Sequence, residues 1–500
     1  MKTHLSVDLG AGSGRVIAAV SDGASLRMEV VNRFSNNPVE LGGHLYWNFP
    51  GLLSDIRSGL RAAAAKYGEI ASVGVDTWGV DYGLIDRSGR LLGLPCIYRD
   101  RRNNPANTEA AFALLGRRSL YDETGIQFMD FNTVFQLFAE RAEPDPLIDH
   151  ASRLLFMPDL VNWALCGEMA NEATIASTTG MISLDTRDWS PRIVSALRLP
   201  DGLLGKPVPP GTVLGCVRGI PGLEKTPVVT VGAHDTASAV ASVPADPATS
   251  WAYLATGTWA LLGVETESPI RGDAAYSLNY THEGAANGKF RFLKNCTGMW
   301  MVQELRRAWA AEDGGSAPSW DSLMHAAEAV APFRTLVDPD WAPFQSPGGM
   351  PGKIADFARL TGQPVPSTRG EMYRAAMEGV VMRYREVWGE LETLTGRRRD
   401  VLHMIGGATR DAMHCRFSAD ALGVRIVCGP DEGAAMGNAV AQMVGLGDLR
   451  DFDEGRALVS RSIEKTEWTP GPGAAAWADA FPRFLDAKRK ASDGAVAASR

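Results

Sequence analysis

Three glycines lie within five positions of one another, after an apolar segment, in the stretch VDLGAGSGR at residues 7–15. Successive backbone N–H groups in a turn of this kind can bind an anion. Asp8 stands at the end of the apolar segment, where its carboxylate would face a Mg²⁺ ion carried by a phosphate, through water because Mg²⁺ gives up its hydration reluctantly. A glycine-rich hairpin with a capping aspartate accounts for the same residues equally well. The stretch therefore indicates a phosphate-binding turn only if other segments agree.

Two familiar nucleotide-binding motifs do not match this turn. A dinucleotide fingerprint needs a third glycine at the position held here by Arg15. A P-loop needs Gly-Lys followed by Ser or Thr, and the three Gly-Lys pairs of the chain continue instead into Pro207, Phe290 and Ile354. Both of these classes are therefore excluded as explanations of the glycines.

The glycine turn is flanked by segments that predict strands, and a second turn of the same design follows later. β-branched runs after residue 15 break at Asp22-Gly23 and then resume, which predicts a strand, a turn and another strand. The stretch SWAYLATGTWALLGVE at 250–265 again places a glycine tip between two apolar segments. One such hairpin in each half favours a duplicated architecture, although the sequence itself is not repeated.

A carboxylate follows a predicted buried strand in TPVVTVGAHDTASAVASVP at 226–244. The strand ends at Gly232, and Asp235 stands at the start of a helix of small residues. Open α/β sheets bind ligands at the carboxyl ends of their strands, where this carboxylate would be exposed. A simple helix cap worth about 1 kcal/mol is the alternative, and this segment alone favours the cap. Residues 72–89 predict two more strands, which meet at Gly79, where a ligand or another segment could approach the backbone closely. A plain hairpin accounts for the same residues equally well, because aspartate favours turns.

The second half of the chain predicts alternating helices and strands. Residues 371–396 form a long amphipathic pattern typical of a helix packed on a core. Residues 401–429 predict a strand, a double glycine, a helix and another strand. Glycines that open a helix after a strand let a nucleotide lie against the backbone.

Length, charge and cysteine usage limit the class of protein. The 500 residues exceed the size at which one core stops growing, so two domains are expected. The net charge of -8 excludes a basic nucleic-acid footprint and fits an enzyme acting on a small ligand. No apolar run is long enough for a membrane span or a signal peptide, which predicts a cytoplasmic protein. The six scattered cysteines predict reduced thiols rather than disulfides or a zinc site.

Taken together, several stretches resemble the FGGY family of carbohydrate kinases in the actin-like ATPase superfamily and, within it, the L-rhamnulokinases. The resemblance runs from about residue 4 to about 460 and rests on VDLGAGSGR, DTWGVD, YRDRR, GIQFMDFNTVFQL, MPDLVNWALCG, AHDTASAV, YLATGTWALLG, LKNCTGMWMVQ and GGATRDAMHCRFSADALGVRIVCGPDEGAAMGN. It implies an α/β, two-domain actin-like (ribonuclease H-like) fold with a catalytic cleft between the domains. The expected division is an N-terminal sugar-binding domain at 1–243, a C-terminal nucleotide-binding domain at 244–465 and a partly mobile tail at 466–500.

The resemblance also implies an activity and a set of site residues. The expected reaction is ATP-dependent phosphorylation of a ketose primary hydroxyl, converting L-rhamnulose to L-rhamnulose 1-phosphate in L-rhamnose catabolism, with ATP and Mg²⁺ as cofactors and a sugar as the small-molecule partner. Asp235 would accept the proton, and Asp8 would face the metal. The residues expected to hold the sugar are Gly79, His234, Asp235, Thr236 and Asn295. The residues expected to contact the nucleotide are Ala11, Gly12, Ser13, Gly14, Arg15, Thr258, Gln303 and Gly407.

Two stretches depart from the pattern of the family. Where three glycines and then an asparagine are usual, GGATRD places Ala408 and Asp411 at the changed positions, which affects the adenine side more than the sugar. The first turn reads GAGSG instead of GASSG, which should preserve phosphate contact. Two other functions remain open at this stage: a kinase for L-fuculose, L-ribulose or L-xylulose, and a non-catalytic actin-like ATP switch.

Overall fold

The computed structural model describes residues 1–498, with side chains through residue 493, as two compact units. Unit 1 comprises Met1–Pro247, Val264–Leu293 and Glu432–Glu464, and unit 2 comprises Ala248–Gly263, Lys294–Asp431 and Lys465–Arg500. The first division between the units, between Pro247 and Ala248, lies close to the boundary expected at 243/244. Two later segments, however, return to unit 1, so neither unit is one continuous stretch of chain.

Unit 1 is an α/β unit with a central mixed sheet. Its strands are β1 (Lys2–Leu9), β2 (Ser13–Ser21), β3 (Leu26–Ser35), β4 (Pro38–Leu41), β5 (His44–Trp47), β6 (Ser72–Thr77), β7 (Tyr82–Ile85), β8 (Arg153–Phe156), β9 (Asn171–Glu172), β10 (Pro207–Val208), β11 (Val213–Cys216), β12 (Pro227–Val229) and β15 (Thr281–Gly284). Its helices are α1 (Phe49–Tyr67), α2 (Pro105–Leu115), α3 (Arg117–Thr124), α4 (Thr133–Arg141), α5 (Met157–Cys166), α6 (Ala173–Ala176), α7 (Pro191–Ala196), α8 (Asp235–Ala241), α9 (Asp273–Ser277), α15 (Gly433–Gly445) and α16 (Phe452–Ser462).

Unit 2 is a second α/β unit. Its strands are β13 (Trp251–Thr256), β17 (Val401–Ile405), β18 (Arg425–Cys428) and β19 (Thr466–Trp468), while β14 (Trp259–Thr266) and β16 (Phe290–Thr297) each contain a unit boundary. Its helices are α10 (Trp300–Glu312), α11 (Trp320–Glu328), α12 (Met350–Thr361), α13 (Arg369–Thr395), α14 (Ala412–Leu422) and α17 (Ala474–Ala498). The predicted amphipathic helix at 371–396 is α13, which begins at a capping box formed by Thr368 and Glu371.

The sheet of unit 1 brings the ends of three chain segments side by side. Its order is β11-β12-β6-β1-β2-β3, with β1 antiparallel to β2 and parallel to β6. In this register Asp8 lies opposite Arg15 on one side and Asp76 on the other. All of β1 after its first residue is buried, as is typical of a strand in a sheet covered on both faces.

The sheet of unit 2 repeats this strand order. It runs β16-β14-β13-β17-β18-β19, and β15 of unit 1 extends it as a seventh strand beside β16. Strand β13 is antiparallel to β14 and parallel to β17, and β19 is an antiparallel edge. Both units therefore place a hairpin beside parallel strands and finish with an antiparallel strand at the opposite edge. The duplicated architecture predicted from the two glycine hairpins is present in the strand order.

The segment at 466–500, expected to be a partly mobile tail, forms β19 and the long helix α17. Trp477, Phe484 and Ala487 are buried on one face of that helix. The ring of Trp477 packs edge-on against Phe333, with centroids 4.9 Å apart. The Ala-rich sequence gives little indication of the buried face of α17, because only a few large apolar residues at helical spacing define it. Residues 499–500 and the side chains of 494–498 lie outside the described part.

Two further expectations concern membranes and thiols. In the stretch covered by the structure, no helix combines the length and the apolar character that crossing a bilayer requires. All six cysteines are free thiols, as predicted, and Cys216 alone among them is exposed.

Candidate active site

Two buried carboxylates lie side by side near the ends of β1 and β6. Asp8 and Asp76 are register partners on these parallel strands. Burial raises the pKa of Asp8 to about 6 despite the charge of Arg15. Burial, followed by the charge of Asp8, raises the pKa of Asp76 well above its ordinary value. Oδ2 of Asp76 accepts a hydrogen bond of 2.6 Å from Asn438, while its Oδ1 is buried without a hydrogen-bond partner.

The glycine turn between β1 and β2 ends in a cation held by two carboxylates. Arg15 donates hydrogen bonds to both Asp8 and Glu432. The N–H of Gly10 donates to the carbonyl of Ser13 at 2.9 Å, which closes the turn around Ala11 and Gly12. A Cβ on Gly14 would lie 2.3 Å from the ring of Phe34, so close packing explains this glycine. The guanidinium of Arg15 is thus held between two carboxylates of unit 1.

Asp235 is more accessible than the two buried carboxylates. Its side chain is 33% exposed, against 7% for Asp8. It begins α8 directly after a loop that is hydrogen-bonded to β6, where the N–H of Thr77 donates to the carbonyl of Ala233 at 2.8 Å. The Oγ1 of Thr236 donates to Oδ1 of Asp235 at 3.1 Å. A carboxylate in this position can accept a proton from a ligand that enters from solvent.

His234 connects this carboxylate to a buried ion pair. Its Nδ1 lies 3.0 Å from Nη2 of Arg291 and 3.2 Å from Oε2 of Glu283, and its Nε2 lies 3.5 Å from Oδ1 of Asp235. Nη2 of Arg291 also donates to Oε2 of Glu283 at 2.9 Å. Burial acts to raise the pKa of Glu283, but the adjacent guanidinium of Arg291, with a further contribution from the contact with His234, outweighs it and leaves that pKa lowered.

Gly79 lies in the loop between β6 and β7, and this loop is fixed by a buried acid. A Cβ on Gly79 would lie 3.3 Å from Oγ1 of Thr178, a tight but not forbidden approach. Asp81 accepts hydrogen bonds from the indole nitrogens of Trp47 at 2.7 Å and Trp78 at 3.0 Å. Burial nevertheless raises the pKa of Asp81 to about 6. These contacts identify Asp81 as an internal anchor for the loop.

In unit 2 the expected nucleotide residues come from three elements. Oγ1 of Thr258 donates to Oε1 of Gln303, at 3.2 Å, and so joins the β13–β14 turn to α10. Gly407 begins a short 3-10 turn after β17. A Cβ on the preceding Gly406 would lie 2.5 Å from the carbonyl oxygen of Thr256, so these two turns are in contact.

The changed residue Asp411 has a clear local role. Its Oδ1 accepts the N–H of His414 at 2.9 Å and caps α14. Its Oδ2 accepts a hydrogen bond of 3.1 Å from the hydroxyl of Tyr373. An asparagine could cap the helix equally well, so this departure preserves the local structure. No contact in the structure explains Ala408.

The structure gathers some of the predicted residues and separates others. In unit 1 the Ala11–Arg15 turn and Asp8 form one group, and His234, Asp235 and Thr236 form another where the loop after β12 enters α8. Thr258, Gln303 and Gly407 belong to unit 2, as does Asn295 on β16. The sequence reasoning did not include Asp76, Glu432 or the Arg291–Glu283 pair. Only Asp76 carried a signal, because it closes a predicted strand within DTWGVD.

The carboxylates of unit 1 suit a hard cation that retains water and phosphate ligands. No group of three or more His, Cys, Asp or Glu side chains in the described residues converges as a ready-made metal cage. Mg²⁺ does not require one, since it usually takes one or two carboxylates together with substrate phosphates. The unpartnered Oδ1 of Asp76 and the oxygens of Asp8 have the chemistry that this ion prefers.

Comparisons with known proteins agree with this architecture. Residues 3–242 match the model of the FGGY family of carbohydrate kinases, N-terminal domain, and residues 252–446 match that of the C-terminal domain. A protein of Bacteroides thetaiotaomicron named rhamnulokinase is 40% identical over 492 residues, which cover 98% of this chain and 100% of that protein.

Solved structures show the same fold at low sequence identity. A ligand-bound xylulose kinase from Lactobacillus acidophilus has a TM-score of 0.80 at 15% identity, with 98% of each chain covered. Plasmodium falciparum glycerol kinase with ADP has a TM-score of 0.77 at 17% identity, with 97% of this chain and 98% of that chain covered. With both family models matched in order along a two-unit α/β chain, this protein belongs to the FGGY family of carbohydrate kinases.

Proposed function

We propose that this carbohydrate kinase transfers the terminal phosphoryl group of ATP to the O1 hydroxyl of L-rhamnulose, yielding L-rhamnulose 1-phosphate in L-rhamnose catabolism. The observation that carries the proposal is the partly exposed carboxylate of Asp235 at the start of α8, in the same unit as the buried pair Asp8 and Asp76. The choice of sugar is supported by the relative named rhamnulokinase, which is similar over its whole length.

Asp235 is the proton acceptor in this proposal. Its carboxylate takes the proton of the attacking hydroxyl as the new O–P bond forms, which is worth typically about 10²–10⁴-fold in rate. The sugar would be held by Gly79, His234, Thr236 and Asn295. The hydrogen bond from Thr236 to Oδ1 leaves Oδ2 of Asp235 as the oxygen that we assign to the proton.

The nucleotide would be held by backbone N–H groups, by the guanidinium of Arg15 and by neutral side chains. The N–H groups of the Ala11–Gly14 turn suit phosphate oxygens, and Arg15 adds a positive charge there. Thr258, Gln303 and Gly407 would contact the nucleotide from unit 2. Asp8 and Asp76 would hold Mg²⁺ through its water shell or directly. The ion, when bound with the phosphates, neutralises charge that develops during the transfer.

We also propose a cytoplasmic location. The supporting observation is that all six cysteines are free thiols, since disulfides are rare in reducing compartments.

The test is an ADP-release assay with Mg·ATP across purified ketoses: L-rhamnulose, L-fuculose, L-ribulose and L-xylulose, with glycerol as an outgroup. We expect the highest kcat/KM with L-rhamnulose. A site that hydrogen-bonds each hydroxyl should reject wrong stereochemistry more strongly than a missing methyl group. A higher kcat/KM for another ketose would overturn the assigned sugar and leave the kinase mechanism in place. ADP release that ignores every added sugar would contradict the sugar-kinase proposal itself.

A further inference from the structure

The buried pair formed by Glu283 and Arg291 lies one imidazole ring away from the proposed catalytic carboxylate. Arg291 is fully buried, and the side chain of Glu283 is 6% exposed. Both residues belong to the β15–β16 hairpin, where Glu283 and Arg291 are register partners. Such a pair is costly to bury, because both charges lose their hydration. Its position against Nδ1 of His234 therefore needs an explanation beyond the packing of a hairpin.

The neighbours of His234 restrict which of its ring nitrogens carries the hydrogen. A guanidinium can only donate hydrogen bonds and a carboxylate can only accept them. Nδ1 lies nearer to Nη2 of Arg291, at 3.0 Å, than to Oε2 of Glu283, at 3.2 Å, and that oxygen already accepts a hydrogen bond from the same guanidinium at 2.9 Å. The nearer donor therefore favours the ring with a bare Nδ1, in which Nε2 carries the hydrogen. That Nε2–H faces Oδ1 of Asp235 at 3.5 Å. Glu283 keeps the guanidinium in place through the 2.9 Å contact and offsets its charge.

We propose that Glu283 and Arg291 are positioning residues that act through His234: they hold its imidazole so that Nε2–H faces Oδ1 of Asp235, which leaves Oδ2 to take the proton of the sugar. This inference rests on the proposed function, and it extends the proton-accepting site into a hairpin that lies far along the chain. The ring and the hydroxyl of Thr236 then both place donors at the same oxygen of Asp235.

Several other groups act on Asp235 electrostatically. Asp8 on β1 and Asp76 on β6 interact with it by charge, and Tyr98 does so from the loop after β7. None of these groups is changed when Glu283 or Arg291 is replaced. Differences between variants of this pair therefore report the pair itself.

Glu283 and Arg291 carry opposite charges, so removing each one should shift the pH profile in the opposite direction. General damage to the fold would not produce opposite shifts. The acid limb of the kcat–pH profile reports the pKa of the base in the substrate complex. In Glu283→Gln an anion is removed, which favours the ionised carboxylate of Asp235 and moves the acid limb to lower pH. In Arg291→Gln a cation is removed, and the limb moves to higher pH. At this separation each shift should be on the order of 0.5–1 pH unit.

The double variant and two controls sharpen this test. Glu283→Gln combined with Arg291→Gln removes both charges, so the limb should return toward its wild-type position. Arg291→Lys keeps the charge and should leave the limb in place. Glu265→Gln is a matched control, because Glu265 and Arg456 form another buried ion pair of unit 1, at 2.7 Å, with both side chains 7% exposed. It should not move the limb.

The kinetic pattern completes the experiment. Both single variants should lower kcat with the ketose by about tenfold and change KM for ATP by less than about twofold, because the pair contacts His234 and not the proposed nucleotide residues. Shifts in the same direction in both single variants, no shift in either, or an equal shift in Glu265→Gln would overturn the proposal. If Arg291→Gln does not fold, Glu283→Gln and the double variant still test the proposal. The acid limb of Glu283→Gln must lie at lower pH than that of the double variant. Wild-type turnover without any ketose dependence would instead reject the proposed function.

Discussion

The turn after β1 and the turn after β13 occupy equivalent places in two sheets of the same strand order, but they carry different chemistry. The first is bordered by Asp8 and Arg15, and Glu432 completes the charged set. The second carries the neutral side chain of Thr258, bonded to Gln303. The repeated topology thus sets the position of a turn, whereas its side chains set the type of ligand contact.

The neighbouring parallel strands differ in the same way. In unit 1, Asp8 on β1 has Asp76 as its partner on β6. In unit 2, Ala255 on β13 has Ile405 as its partner on β17. The carboxylate pair favours a role for unit 1 in charge neutralisation and proton transfer. The apolar pair favours a role for unit 2 in neutral contacts with the nucleotide. Four experiments can break or sharpen this division.

The largest effect is expected from Asp235→Asn in unit 1. The amide keeps the size of the side chain but cannot accept the proton, so kcat should fall by about 10²–10⁴-fold. KM for ATP should stay within about threefold, because the nucleotide residues are unchanged. Steady-state kinetics with Mg·ATP and the preferred ketose measure both quantities. Near-normal turnover would remove the proton-accepting role from this unit.

A smaller loss of activity is expected from Asp8→Asn. The neutral amide is a weaker Mg²⁺ ligand and leaves Arg15 with one carboxylate partner instead of two. We expect kcat to fall by about 10–100-fold, which corresponds to about 1.4–2.7 kcal/mol of transition-state stabilisation. The Mg²⁺ concentration for half-maximal rate should rise, as measured by metal titration at saturating ATP. An unchanged titration would argue that Asp8 serves only to hold Arg15.

Changing the neutral turn should affect binding of ATP more than turnover. Thr258→Val keeps the shape of the side chain but removes the hydroxyl that donates to Gln303. A hydrogen bond of this type contributes about 1 kcal/mol, so KM for ATP should rise by roughly fivefold. The value of kcat should change by less than about twofold. A large loss of kcat with normal KM would show that unit 2 also contributes to the chemical step.

The smallest effect concerns the free energy of unfolding, and it tests the burial of Asp8. The folded-state pKa of Asp8 is raised to about 6, while an unfolded aspartate titrates near its ordinary value. The folded state therefore binds the extra proton between about pH 4 and 6, and stability from this group is lost as pH rises through that window.

Thermal unfolding at several pH values measures this effect. The Tm of wild type relative to Asp8→Asn should fall as pH rises from 4.5 to 7, by a few degrees at most for a chain of this size, since about 1 kcal/mol shifts Tm by only 2–4 °C. The matched variant in unit 2, Thr258→Val, should show no such pH trend, because it changes no titratable group. A parallel trend in both variants would contradict the assignment to Asp8.

Much of the local structure could be predicted from short-range patterns. The sequence predicts the strand–turn–strand order around Gly10 to Gly14 and the helix at 371–396, because alternation and helical spacing act over a few residues. The tail was harder to interpret. Its alanines gave little contrast between the buried and exposed faces of α17, although Trp477 and Phe484 lie on the buried one.

The candidate site was predicted only in part. Asp8 and Asp235 were identified because each follows a strand, where ligands bind in open sheets. Asp76 does not stand out in the sequence, because aspartate also favours ordinary turns. Glu283 and Arg291 could not be identified, since their relation to His234 depends on the packing of a hairpin from a later segment. The assigned roles of these residues stay predictions until the variants are measured.

The glycine turns, the helical and strand segments and the family of this chain follow from residue types and their local spacing. The tertiary structure decided which charges meet. Asp8 and Asp76 become neighbours through a parallel strand pairing, and Glu432 and Asn438 join them because a late segment returns to unit 1. Strand register and chain return are long-range packing outcomes, so no local pattern specifies the burial and partners that set the chemistry of these side chains.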